Sequence, residues 1–276
     1  MILKSIDEKI RQAFSDAALQ YDALTSLHKE IGRDLIKTVR MHEPCARILD
    51  IGMGTGWLTT RLAHLFPGSV VVGLDFAQGM IDQAKQQGED IRILQADAGH
   101  LPFQKNSFDI IISNLAYQWI EDIPRAFQQC SDTLNKTGVL SLTLFGHQTL
   151  QELFVALEQS QLSADQGKIL SVRRLATLDE VKAALAHAGF IDAIVDYERI
   201  KVRFPDMLGL IKWTKSIGAN SLEKNVFIGK EWLSRANEYY NKNFCDHLGV
   251  YTTFEVIWVF AKKNGVGHKT QDTRHR

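Results

Sequence analysis

The sequence predicts an α/β fold: a doubly wound parallel sheet, with helices before it and a helical cap inserted between the last two strands. Three observations predict it. From Arg47 to Phe145, short apolar runs alternate with amphipathic helical patterns, as in parallel sheets whose strands are joined by crossover helices. The first apolar run enters a turn with glycines at 52, 54 and 56. About fifty residues separate the two last strand-like runs, far more than a hairpin needs.

The elements follow in order. Residues 1–40 read as two N-terminal helices, since Ile6, Ile10, Ala13, Phe14 and Ala17, and then Leu24, Leu27, Ile31, Leu35 and Val39, fall at helical spacing. Strands are expected at 47–51, 69–74, 91–96, 108–113 and 138–145, with helices at 57–66, 77–86 and 122–135 between them. A helix from about Gln148 to Gln159 and a polar loop come next. Thr177 and Glu180 then form a capping box that opens a helix ended by Gly189. Residues 191–202 and 253–261 read as the last strands. The sheet domain is thus expected to comprise 41–203 and 250–263, with 204–249 as the cap: Met207, Leu210, Ile211, Trp213 and Ile217, then Trp232, Leu233, Ala236 and Tyr240, are spaced for helices. Residues 264–276 are polar and basic with no apolar pattern, and are expected to be a disordered tail.

Composition narrows the function. With 276 residues and 45% apolar side chains the chain can bury a full core. Lys plus Arg equals Asp plus Glu at 32 each, so no global field draws it to nucleic acid or to a membrane, and neither partner is expected. Cys45, Cys130 and Cys245 are far apart and have neither disulfide nor metal spacing, and the histidines are scattered singly, so no metal is expected. No signal peptide or long apolar run is evident. A cytoplasmic monomer is expected.

The glycine turn carries the chemistry. A dinucleotide site would show G-x-G-x-x-G, whereas this chain has Asp50-x-Gly52-x-Gly54-x-Gly56, with a carboxylate at the strand end. That acid would repel a pyrophosphate and attract the ammonium and sulfonium of S-adenosylmethionine. Asp75 closes the second strand, where an acid accepts hydrogen bonds from ribose hydroxyls. Asp97 and Asn114 close the third and fourth.

The series Leu49-Asp-Ile-Gly-Met-Gly-Thr-Gly56, Gly73-Leu-Asp75, Ala96-Asp97 with Leu101-Pro-Phe103, and Phe108-Asp109 resembles the class I S-adenosylmethionine-dependent methyltransferases. More narrowly, Ser113-Asn-Leu-Ala-Tyr-Gln-Trp119, Lys215-Ser-Ile-Gly-Ala219 and the N-terminal pattern of Phe14, Ala17, Tyr21 and Asp22 resemble the malonyl-[acyl carrier protein] O-methyltransferases of biotin synthesis. The resemblance implies a Rossmann-like methyltransferase sheet, mostly parallel with its last strand antiparallel, and S-adenosyl-L-methionine as cofactor. It places Asp50 near the methionine amino group, Asp75 on the ribose, and Asp97 with Ala98 at the adenine, which Phe76 and Met80 would sandwich. Asn114 would complete the cofactor site. The first helix would cover cofactor and substrate mouth, with Tyr21 and Phe14 facing in.

For the substrate, the resemblance implies a malonyl group on an acyl carrier protein. Its carboxylate is already ionised at neutral pH and needs no general base, only a cation to hold it and a dry site. Tyr21, Gln118, Lys215 and Arg203 are the expected substrate-binding residues, with Lys215 as the cation. Asn114 also stands where amino-methylating enzymes of nucleic acid carry an Asn-Pro-Pro-Tyr type motif, but both prolines are missing here. The alternative is C- or O-methylation of another small molecule such as a quinone precursor. That chemistry needs a base, and the strand-end loops show no obvious histidine to supply one.

Overall fold

The computed structural model describes residues 2–40, 45–87, 91–161, 173–190, 192–219 and 229–263, with side chains from residue 8 onward. The polar loop at 162–172 and the expected tail at 264–276 lie outside them. An eight-stranded sheet forms the centre, in the order β3-β2-β1-β4-β5-β8-β6, with the short β7 beside β8. Its strands are β1 Arg47–Ile51, β2 Val70–Asp75, β3 Arg92–Gln95, β4 Phe108–Asn114, β5 Leu134–Phe145, β6 Ile194–Phe204, β7 Cys245–Asp246 and β8 Gly249–Lys262. β1 to β5 pair in parallel, and β8 runs antiparallel to both β5 and β6.

The strands are buried on both faces because helices cover both. Ile48, Ile110 and Ile112 point to one side, where Leu35 and Val39 of α2 (Ser26–Val39) and Leu58 and Leu62 of α3 (Trp57–Leu65) pack. Leu49, Ile51 and Ile111 point to the other, against Phe127 and Cys130 of α5 (Ile123–Thr133) and Val181 and Leu185 of α7 (Leu178–His187). Alternate residues serving opposite layers is the reason these runs are continuously apolar. The expected capping box is present, with Thr177 accepting from the Glu180 amide and Glu180 accepting from the Thr177 amide. Such a cap contributes about 1 kcal/mol.

Two expectations need adjustment. The helix expected to reach residue 135 ends at Thr133, and β5 begins at once, so Gly138 lies inside the strand. There it is crowded: a Cβ would come 2.9 Å from Leu134 Cδ2 and 3.1 Å from the Asp109 carbonyl oxygen. β7 was also not foreseen, being only two residues long.

The remaining helices form the roof. α1 (Ile2–Leu24) crosses over α4 (Gln78–Lys85) so closely that a Cβ on Gly79 would lie 2.3 Å from the Ser15 carbonyl oxygen. α8 (Met207–Ser216) sits beside it, the Trp213 indole N–H donating to the Leu24 carbonyl at 2.9 Å. α6 (Gln151–Gln159) and α9 (Lys230–Asn243) pack together behind, joined by the Trp232 indole N–H to the Leu157 carbonyl at 2.9 Å.

Candidate active site

The glycine turn leaves β1 with φ of 72° at Gly52, 56° at Gly54 and 84° at Gly56. Gly52 is required twice over. Its φ is left-handed, and a Cβ there would stand 2.3 Å from Ala116 Cβ in the loop after β4. Gly54 faces open space, with nothing within 4 Å of where a Cβ would be. Its N–H donates to Asp75 Oδ2 at 2.9 Å, and the Ala77 N–H donates to Asp75 Oδ1 at 2.9 Å. Asp75 is therefore locked in place by backbone donors and keeps lone pairs for a ligand. Burial raises its pKa, and these backbone bonds oppose the rise.

Asp50 is fully buried. Its Oδ2 accepts from the Thr59 hydroxyl at 2.7 Å, while Oδ1 has no partner. Burial drives its pKa up to about 7, with the Thr59 bond opposing and the Asp75 charge adding to the rise. A buried carboxylate oxygen without a donor, beside an open glycine, fits the ammonium end of S-adenosylmethionine.

The other expected cofactor residues differ in setting. Phe76 lies under α1, 6.2 Å from the Phe14 ring, which in turn meets Trp119 edge-on at 5.2 Å. Met80 is buried with Phe14, Ala18 and Ala77, as core between α1 and α4. Asp97 is exposed and accepts from the Gly99 amide at 2.7 Å, and Ala98 packs against the main core. Asn114 spends its amide within the chain: Nδ2 donates to the His28 carbonyl at 2.9 Å, and Oδ1 accepts from the Thr143 hydroxyl at 2.9 Å. It ties α2 to the sheet.

Beside this turn lies a cavity of about 240 Å³. α1 contributes Phe14 and Tyr21, the loop after β4 contributes Gln118 and Trp119, and α8 contributes Trp213 and Ile217. Burial, and then the charges of Asp75 and Asp22, push the Tyr21 pKa up, so its hydroxyl stays protonated beside those two acids. Gln118 donates from Nε2 to the Leu115 carbonyl at 2.6 Å.

Comparison with known proteins settles the family. A model described as a methyltransferase domain matches residues 49–142. The malonyl-[acyl-carrier protein] O-methyltransferase of Geobacter sulfurreducens is 32% identical over 263 residues, covering 92% of this chain and 98% of that one. That of Hahella chejuensis is 35% identical over 264 residues, covering 92% and 90%. This chain belongs to the malonyl-[acyl-carrier protein] O-methyltransferase family. Solved structures agree on the fold: YcgJ of Bacillus subtilis superposes with a TM-score of 0.58 at 18% identity, over 86% of this chain and 99% of that one. Phosphoethanolamine N-methyltransferase 2 of Haemonchus contortus, solved with S-adenosyl-L-methionine, gives 0.53 at 22% identity, over 84% and 52%.

In this methyltransferase the expected substrate cations are not at the cavity. Lys215 is exposed and does not line it. The reason is helical phase: Leu210, Trp213, Thr214 and Ile217 share the inward face of α8, which turns Lys212 and Lys215 outward. Arg203 is also elsewhere, paired with Asp246 at 2.8 Å across the β6–β7 corner. Among the described residues, the arginines that line the cavity are Arg173 and Arg174, which the sequence reading passed over. Arg174 is exposed and paired with Glu180 at 2.6 Å. Arg173 donates from Nη2 to the Trp119 carbonyl, with its guanidinium 5.9 Å from the Trp119 ring centre. Their signal in sequence was only a pair of basic residues just before the capping box.

Two histidines were also missed. His147 lines the cavity with Nδ1 3.3 Å from the buried Glu255 carboxylate. His28 lines it too, and burial lowers its pKa to about 4. Among the described residues no His, Cys, Asp and Glu cluster could hold a metal, and no helix is long and apolar enough to cross a membrane.

Proposed function

We propose that this chain transfers the methyl group of S-adenosylmethionine to the free carboxylate of malonyl-acyl carrier protein, giving the methyl ester. The observation that carries the reading is the cavity itself: an aromatic chamber beside the Asp50–Asp75 turn, with Arg173 held in its wall. When bound, the cofactor supplies an electrophilic methyl on a sulfonium. Asp50 would hold its amino group and Asp75 its ribose. Asp97 and Ala98, with Phe76 nearby, would meet the adenine end. Arg173 would hold one oxygen of the malonyl carboxylate and leave the other free to attack. Phe14, Tyr21 and Trp119 keep water out, so that opposite charges meet in a poorly solvated space.

The carboxylate is ionised at neutral pH, and no residue has to remove a proton. Charge balance across the chain favours a protein partner met through local basic residues over nucleic acid or a membrane surface. One observation favours a second reading. His147, with Nδ1 3.3 Å from the buried Glu255 carboxylate, lines the cavity and could serve as a base toward a phenol or an acidic carbon of another small molecule.

Incubation with isotope-labelled S-adenosylmethionine tests the choice. Malonyl-acyl carrier protein, malonyl coenzyme A and succinyl-acyl carrier protein are compared by product mass. Methyl ester formation preferring the malonyl carrier is expected. Methylation of none of them, with transfer to a quinone precursor, would instead support the second reading.

A further inference from the structure

Two buried polar groups at the cavity lack partners, and neither is charged. His28 is 9% exposed, and its ring is surrounded by Tyr21, Phe145 and Trp213 at 6.0, 5.8 and 6.4 Å between centres. Its imidazole makes no hydrogen bond among the described residues: Nδ1 is closed off without a partner, so Nε2 is the nitrogen through which the ring can meet a ligand in the cavity. Its backbone is fixed, since the His28 carbonyl accepts from Asn114 and the following Lys29 reaches Asp22 at 3.6 Å. Gln118 is 7% exposed and has its Nε2 committed to Leu115, which leaves Oε1 without a donor. Native proteins rarely leave such groups unsatisfied unless something else completes them.

The chemistry of the missing partner can be narrowed. His28 stays neutral near pH 7, so it offers one N–H and no charge: it can donate to an acceptor oxygen but cannot neutralise a carboxylate as a guanidinium does. In the malonyl-carrier reading the carboxylate goes to Arg173, which lines the same cavity. The malonyl thioester carries one further acceptor, the thioester carbonyl, which must also be desolvated on entering this apolar space. Resting on the malonyl-carrier reading, we propose that His28 donates a hydrogen bond to the thioester carbonyl oxygen of the bound acyl group. His28 thereby selects substrates that carry a carbonyl next to the carrier sulfur. The aromatic rings around His28 fix its plane, and the Asn114 bond fixes its place on α2.

The test uses two carrier-bound substrates that differ only at this oxygen. One is malonyl-acyl carrier protein, and the other is the carrier whose arm bears a 2-carboxyethyl thioether, with the same reach and carboxylate but no carbonyl. Wild-type kcat/KM is expected to favour the malonyl form by roughly tenfold or more, because the thioether leaves the imidazole unpaired. His28→Phe should lose about that factor on the malonyl form and little on the thioether, while His28→Gln, which keeps a donor, should recover part of it. S-adenosylhomocysteine affinity should hold in both variants, as a check on folding. Equal losses on both substrates would mean that His28 only packs, and would overturn the proposal. If His28→Phe does not fold, the wild-type ratio decides alone: no preference for the malonyl form overturns it. Wild-type turnover of neither substrate would instead sink the malonyl reading, and this inference with it.

Discussion

The proposed cofactor half and the proposed substrate half of this site are built in opposite ways. Around Asp50, Gly54 and Asp75 the polar atoms are held by bonds from the adjoining turns and first helix turn, with Gly54 and Ala77 N–H groups on Asp75 and the Thr59 hydroxyl on Asp50. The substrate cavity has no such local frame. Its wall draws on α1, α2, the loop after β4, the segment before α7, and α8, and these meet only because the roof helices pack together. A site closed by one turn tolerates change elsewhere in the chain. A site closed by long-range packing depends on every element that forms the roof.

Substitutions should separate the two halves. The largest effect is expected from Arg173→Ala, which should cost malonyl-carrier turnover about 2 to 4 kcal/mol of transition-state free energy and leave S-adenosylhomocysteine affinity nearly unchanged. Lys215→Ala, on the outward face of α8, should move either quantity by less than about 0.5 kcal/mol. Steady-state kinetics beside calorimetry reads both. The reverse pattern is expected of Asp75→Ala, which should weaken S-adenosylhomocysteine binding by about 1.5 to 3 kcal/mol, the range for hydrogen bonds to a charged group. Unchanged affinity with an intact fold would remove Asp75 from the cofactor site.

Next in size is a change between the halves. Gly79→Ala drives a Cβ against the Ser15 carbonyl, so α1 must lift from α4. A loss of about 1 to 3 kcal/mol in denaturant unfolding is expected, together with a larger fall in carrier turnover than in cofactor affinity. Equal falls would mean that α1 serves both halves alike.

A further effect sharpens the cofactor half through pH. Asp50 has its pKa raised to about 7 in the folded protein, from 3.8. The folded state therefore holds a proton there that the unfolded chain has released, and the stability this gives is lost as pH rises through about 7. An ammonium beside Asp50 requires the ionised form, so below that pH binding must expel the proton. S-adenosylhomocysteine should bind about tenfold more weakly at pH 6 than at pH 8. Calorimetry in buffers of different ionisation enthalpy should show proton release near pH 6, and flat affinity would place the ammonium elsewhere.

The same contrast explains what was legible in the sequence. The parallel sheet, the capping box and the acid-glycine turn are each written in contiguous residues, and periodicity or spacing reads them, whereas the antiparallel direction of the last strand came only with the family resemblance. Lys215 and Arg203 were chosen because they sit in a motif or a basic stretch, but a motif does not state which way a helix faces. The Trp213 and Ile217 pattern already carried the phase that turns Lys215 outward. Arg173, His28 and His147 had no local signal, being single residues brought to the cavity by packing between distant segments. Asn114 carried a cofactor expectation from its strand-end position, yet its partners, the His28 carbonyl and Thr143, are visible only once α2 and β5 are in place.

The central claim is that the methyl goes to an oxygen that is already ionised, in a chamber where Arg173 aligns it and no base takes part. The most direct measurement is the single-turnover rate of methyl transfer to malonyl-acyl carrier protein at saturating cofactor, from about pH 6 to about pH 9, for the wild type and His147→Gln. A carboxylate is ionised across that whole range, so a flat profile, unchanged in the variant, is predicted. A rate that climbs with pH in the wild type and collapses in His147→Gln would contradict it, and would make the His147–Glu255 pair the base of a different methyl transfer.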